Sequence, residues 1–133
     1  MSSESVHEPL LEALLQARTI SDIEVSPLGE LVAYGETRLE LSDRTRQSVL
    51  CIGQLDDRAP LNPMTIVESP VVFRWAPVGE VLAVFQRRET GGIGLCLINL
   101  RDWRKPVISY CSELFSSVGS LIWDATGDQL AFS

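Results

Sequence analysis

The sequence predicts an all-β fold: a partial β-propeller of about two and a half four-stranded blades, preceded by a short N-terminal α-helix. Two observations predict it. From residue 19 onward, short apolar runs of strand length alternate with turn residues, the signature of a sandwich, barrel or propeller. One hairpin is also written three times, as "VSPLGELVAY" (25–34), "WAPVGEVLAVF" (75–85) and "WDATGDQLAF" (123–132). Gly29, Gly79 and Gly127 hold matching places, separated by 79 − 29 = 50 and 127 − 79 = 48 residues. A period of roughly 40 to 50 residues with four strands in each is the size of a propeller blade. Ala33, Ala83 and Ala131 align as well, as do Tyr34 and Phe132, with Phe85 displaced by one. Turn, alanine and flanking strands repeat together, which favours a propeller over a sandwich holding three similar hairpins.

The elements follow in chain order. Pro9 suits the first position of a helix, where its missing N–H costs nothing. Leu10, Leu11, Leu14 and Leu15 then form one apolar stripe, with Glu8 and Glu12 near the positive end of the helix dipole. Residues 1–18 are thus expected to be a tail and amphipathic helix, and residues 19–133 an incomplete propeller. The first blade, about 21–68, takes strands near 21–26, 31–41, 48–55 and 63–68. The second, about 70–111, takes strands near 70–76, 81–87, 93–100 and 106–111. The third, 118–133, holds two strands. Proline fixes φ at the first corner of the repeated turn, and glycine is expected in the left-handed conformation that closes it. Repeat architectures bury their faces against neighbours and need terminal closure. The chain is therefore expected to be cut in mid-blade, with unpaired edges at 121–123 and 129–133 and a tendency to self-associate.

Composition excludes several classes. The 11 basic and 18 acidic residues give a net charge of −7, which argues against nucleic acid, where lysines and arginines carry the affinity. No apolar run approaches the roughly 18 residues of a membrane span. The N-terminus lacks a basic flank and a cleavage site, so a cytoplasmic address is expected. Arg87-Arg88 and the cluster from Arg101 to Lys105 read as solvated loop charges rather than a phosphate site. Cys51, Cys96 and Cys111 show no metal-binding spacing and read as buried reduced thiols.

Nor does any motif assemble a site. His7, the sole histidine, sits in the tail, and there is no Gly-x-Ser-x-Gly elbow. "GGIG" at Gly91 to Gly94 lacks the lysine and hydroxyl of a phosphate loop and reads as a β-turn. Glu36, Glu40, Asp43, Asp56 and Asp57 lack the alternate spacing of a calcium loop. Trp75 and Trp123 share a repeat position and read as packing residues, whereas Trp103 lies in a polar loop where a partner contact stays open. No catalytic, cofactor-binding or metal-binding residue is expected, and no cofactor.

A leucine-rich helix followed by Ile20-Ser21-Asp22, Ser26-Pro27, Gly29 and Val32-Ala33-Tyr34 resembles the opening of a prolyl oligopeptidase-family serine peptidase, the acylaminoacyl-peptidase-like branch above all. The aspartate of that family's Pro-Asp-Gly turn is replaced by Leu28, Val78 and Thr126. The resemblance implies a propeller that gates access to a following α/β-hydrolase domain, which carries the serine, aspartate and histidine. It also implies that the leading helix packs on that domain and that peptides reach the site only in the parent protein. The expected partners are therefore the hydrolase domain or the remaining blades. The alternative is a non-enzymatic WD-like or TolB-like propeller fragment acting as a protein-interaction scaffold. A third reading is a free-standing small β-domain.

Overall fold

The computed structural model describes residues 18–40, 45–55, 63–89, 91–110 and 115–133. The expected helix, His7, Asp43, Asp56, Asp57 and Cys111 lie outside them, as does the side chain of Glu40. The described chain is entirely β. Strands β1 (Arg18–Val25), β2 (Leu31–Glu40), β3 (Thr45–Gln54) and β4 (Met64–Glu68) form one antiparallel sheet in chain order. Strands β5 (Pro70–Trp75), β6 (Val81–Arg87), β7 (Ile93–Asn99) and β8 (Val107–Tyr110) repeat that order in a second sheet. Strands β9 (Leu121–Trp123) and β10 (Leu130–Phe132) make a third, two-stranded sheet. Strand β1 begins earlier than its sequence suggests because the ladder with β2 continues back to the Arg18–Arg38 pair.

The repeated turn is one structure written three times. The backbone N–H of Ser26, Ala76 and Asp124 donates to the carbonyl of Leu31, Val81 and Gln129 respectively, at 2.8 to 2.9 Å. Gly29, Gly79 and Gly127 sit at φ of 75°, 71° and 79°, where a Cβ is strained. At Gly127 the restriction is also steric, since an added Cβ would stand 2.9 Å from Val78 Cγ2 of the preceding repeat's turn. Asp22, in a β1 bulge, takes φ of 53°, a conformation aspartate tolerates better than most residues.

Burial follows from stacking sheet on sheet. Leu31, Ala33, Leu50, Ile52 and Val67 of the first sheet meet Phe73, Trp75, Leu82, Val84, Cys96 and Ile98 of the second. The opposite face of the second sheet, carrying Ala83, Phe85, Ile93 and Leu95, meets Leu121 and the half-buried Trp123 and Leu130 of the third. Strand β6 is consequently covered on both sides: Leu82, Ala83, Val84 and Phe85 are completely buried. This is why it reads as a continuous apolar run instead of an alternating one. Ala33 and Ala83 both face the next sheet, where a small side chain permits close approach.

The displaced aromatic has a geometric reason. In a strand, one residue of shift reverses the face. Phe85 therefore points forward while Phe132, aligned with Tyr34 and Val84, points back. The two rings meet edge to face at 5.0 Å, and Phe115 completes a trio at 6.1 Å from Phe85 and 5.3 Å from Phe132.

Candidate functional site

The two seams between sheets are built on the same contact. The indole N–H of Trp75 donates across the first seam to the Glu24 carbonyl at 2.9 Å. That of Trp123 donates across the second to the Arg74 carbonyl at 3.1 Å. Donor and acceptor occupy equivalent repeat positions in both cases: the acceptor is the residue just before the preceding sheet's counterpart of the tryptophan. The corresponding position in the first sheet is Val25, which is exposed. The expectation that both tryptophans are packing residues holds. Trp103 also folds back against the main core, and Arg104 lies 5.4 Å from its ring centre.

The first residue of each turn tunes the turn. Ser26 Oγ accepts from the Leu31 N–H at 3.1 Å. Asp124 does more: its carboxylate accepts from the N–H groups of Gln129 and Asp128 at 3.1 and 2.9 Å and from the Thr126 hydroxyl at 2.9 Å. The Gln129 N–H above all, then the Thr126 hydroxyl and the Asp128 N–H, hold this carboxyl below the usual aspartate range. Ala76 offers no side-chain acceptor at the matching place.

A polar cluster lies on the face of β2 and β3 that points away from the second sheet. Tyr34, Glu36 and Cys51 are buried there. The Arg38 guanidinium is 2.8 Å from Glu36 Oε1, and the Cys51 thiol approaches Glu36 Oε2 at 3.7 Å and the Thr65 hydroxyl at 3.9 Å. Burial, followed by the neighbouring Cys51 and Glu36, pushes the Tyr34 phenol up to about 12. Burial likewise raises the Cys51 thiol, partly countered by Thr65. A thiol kept protonated is a poor nucleophile, so this cluster is equipped for structure rather than attack. Cys96 is a second free, buried thiol, in a different cluster.

One carboxylate is poorly accommodated. Both oxygens of Glu80 are buried and, among the described residues, neither has a well-formed hydrogen bond, with the Ser26 hydroxyl close by. Burial raises its pKa, the Glu30 carboxylate adds to the rise, and the nearby Ser26 hydroxyl opposes it. The folded state thus holds the Glu80 proton more tightly than the unfolded chain does, so stability falls as pH rises from about 4.3, the ordinary glutamate value, through the folded pKa. Glu80→Gln is expected to raise stability at pH 7 by on the order of 1 kcal/mol and to change it little below about pH 4. Urea unfolding at both pH values measures this; a variant no more stable than wild type at pH 7 would contradict it.

The remaining motifs resolve simply. Gly91, at φ of 100°, closes the turn before β7 through Gly91 N–H to Arg88 O at 2.9 Å and Arg88 N–H to Gly92 O at 2.7 Å, as a β-turn reading requires. Arg88 is not a solvated charge: its guanidinium lies 4.2 Å from the Tyr110 ring centre and close over Gly94. Among the described residues no group of three or more histidine, cysteine or acidic side chains is placed to hold a metal. No helix among them is long and apolar enough to cross a membrane.

No family model and no curated protein matches the chain. Solved structures do. The chain is similar to the β-propeller domain of the trilobed protease from Pyrococcus furiosus, with a TM-score of 0.68 and 23% identity over 86% of this chain and 33% of that one. It is similar to Pyrococcus horikoshii acylaminoacyl peptidase, with a TM-score of 0.69 and 20% identity over 88% of this chain and 17% of that one. An uncomplexed structure of the same peptidase gives 0.66 and 19% identity. The chain therefore spans a third or less of the proteins it matches, and the likeness establishes a propeller-like fold.

Proposed function

We propose that this chain is propeller material of a prolyl oligopeptidase-type serine peptidase, with its two four-stranded sheets as blades and β9–β10 as part of a third. Its role is structural and gating: it stacks blades beside an α/β-hydrolase domain and contributes no catalytic group. The observation that carries this reading is the identically repeated seam, tryptophan N–H to the preceding sheet's carbonyl, in a chain whose fold is similar to that of an acylaminoacyl peptidase. The leading Ile20-Ser21-Asp22 and Ser26-Pro27 motif adds to it. The exposed Ile122 of the third sheet, on the face turned away from the second, suits a further blade as the next partner. A cytoplasmic address belongs to the same reading and is in keeping with the free thiols of Cys51 and Cys96.

Two experiments test it together. A fluorophosphonate probe is expected to label no serine of this chain; covalent labelling would overturn the claim that it carries no nucleophile. The coding sequence beyond Ser133 is expected to hold a Gly-x-Ser-x-Gly elbow followed by aspartate and histidine. Further blades without that elbow would instead favour the interaction scaffold.

A further inference from the structure

The end of the sheets opposite the glycine turns holds a cleft that neither the seams nor the proposed function uses. It lies where the chain crosses from the first sheet to the second, has a volume of about 440 Å³, and is lined by Arg46, Ser48, Ser69, Pro70 and Arg87 among others. Three elements converge there because of one residue. Ser69 takes φ of 54°, in the left-handed region, at the crossover. Its N–H donates to the Ser48 carbonyl at 2.7 Å, and its own carbonyl accepts from the Arg87 N–H at 2.9 Å. The crossover is thereby tied to β3 on one side and to β6 on the other, which brings the ends of those strands to the same opening.

The charge in this cleft runs against the charge of the chain. The whole protein carries −7, yet among the described residues the ionisable side chains lining this cleft are two arginines, Arg46 and Arg87; the carboxylate of Glu68 accepts from the Gln47 amide of its wall at 3.4 Å. Neither guanidinium has an ion pair or hydrogen bond among the described residues. An adjoining cleft of about 330 Å³ shares Ser69 and Arg87 and is walled by Gln86, Arg88 and two carboxylates, Glu68 and Glu89, as well. Two buried polar atoms there lack a partner: Gln86 Oε1, an acceptor, and Arg88 Nε, a donor. Arg88 cannot swing away freely, since its guanidinium is held between the Tyr110 ring and the backbone at Gly94. Unsatisfied buried polar atoms carry a cost that a bound ligand relieves.

We propose that this crossover cleft is an oxyanion-binding site in which Arg46 and Arg87 take a phosphate or carboxylate group of a small ligand. Guanidinium forks match both oxyanions in geometry and charge. The Ser69 hydroxyl supplies a further donor beside them, and Glu68 and Glu89 of the adjoining cleft suit a donor or cationic group on the remainder of the ligand. No covalent step is involved.

The test uses the whole chain and amide NMR titrations at constant ionic strength with inorganic phosphate, acetate and sodium chloride in turn. Saturable shifts at Ser48, Ser69 and Arg87 with phosphate support the site and identify a phosphate ligand; saturation with acetate supports it and identifies a carboxylate. Arg46→Ala and Arg87→Ala are each expected to weaken binding about tenfold or more, while Arg101→Ala, on a different loop, leaves it unchanged. Shifts that follow sodium chloride equally, or that survive both arginine variants, would overturn the proposal, as would no saturable shift with either oxyanion. Since the readout is binding to this chain, the result is independent of whether the parent is a peptidase.

Discussion

Replacing Trp75 with alanine is expected to lower the unfolding free energy by about 3–5 kcal/mol, a large share of the roughly 5–15 kcal/mol that holds a domain folded. Two terms add. Trp75 is buried to 8% exposure at the meeting of the first two sheets, so truncation opens a cavity in the main core. The change also strips the Glu24 carbonyl of its donor across the seam. Trp75→Phe separates the terms: most of the ring remains, the carbonyl loses its partner, and a loss of about 1 kcal/mol is expected. Trp123→Ala serves as the comparison. It removes the equivalent hydrogen bond from an exposed setting on a two-stranded sheet and is expected to cost much less. Urea unfolding of the three variants checks this, and equal losses at positions 75 and 123 would contradict the assignment of the main core to the first seam.

The second large effect is expected at Phe85. This ring is fully buried on the face of β6 that meets the third sheet, edge to face with Phe132 and Phe115. Phe85→Ala is expected to cost about 3–5 kcal/mol. Phe85→Leu fills most of the volume but forfeits the ring pairs, each worth about 0.5–1.5 kcal/mol. Thermal or urea unfolding distinguishes them. If Phe85→Ala cost less than about 1 kcal/mol, the third sheet would not be packed against the second as described.

The parts of the fold written locally were legible in the sequence. Glycine is needed where φ is positive, so Gly29, Gly79 and Gly127 marked three turns that the structure closes with the same hydrogen bond. The paired tryptophans Trp75 and Trp123 read as packing residues, and both lie at the seams between sheets. What depends on register was not legible. Phe85 looked like a repeat aromatic out of step, and only strand pairing shows that it faces the other way. The Tyr34–Glu36–Cys51 cluster arises because Tyr34 stands opposite Cys51 and Glu36 opposite Val49 in the β2–β3 ladder; scattered acids in a sequence give no hint of that. Arg87-Arg88 looked like a solvated pair, yet the Arg88 guanidinium lies over the Tyr110 ring. Trp103 sits among polar neighbours in sequence and on the core in space.

Native-state hydrogen exchange tests most directly the central claim, that the sheets stack so that the second is sealed on both faces by its neighbours. The slowest amides are predicted in β6 and β7, with β2 and β3 close behind, and those of β9 and β10 are predicted to exchange faster by at least about an order of magnitude, as expected for a sheet with few buried contacts. Amides of β6 and β7 that exchange as fast as those of β9 and β10 would contradict the stacked arrangement.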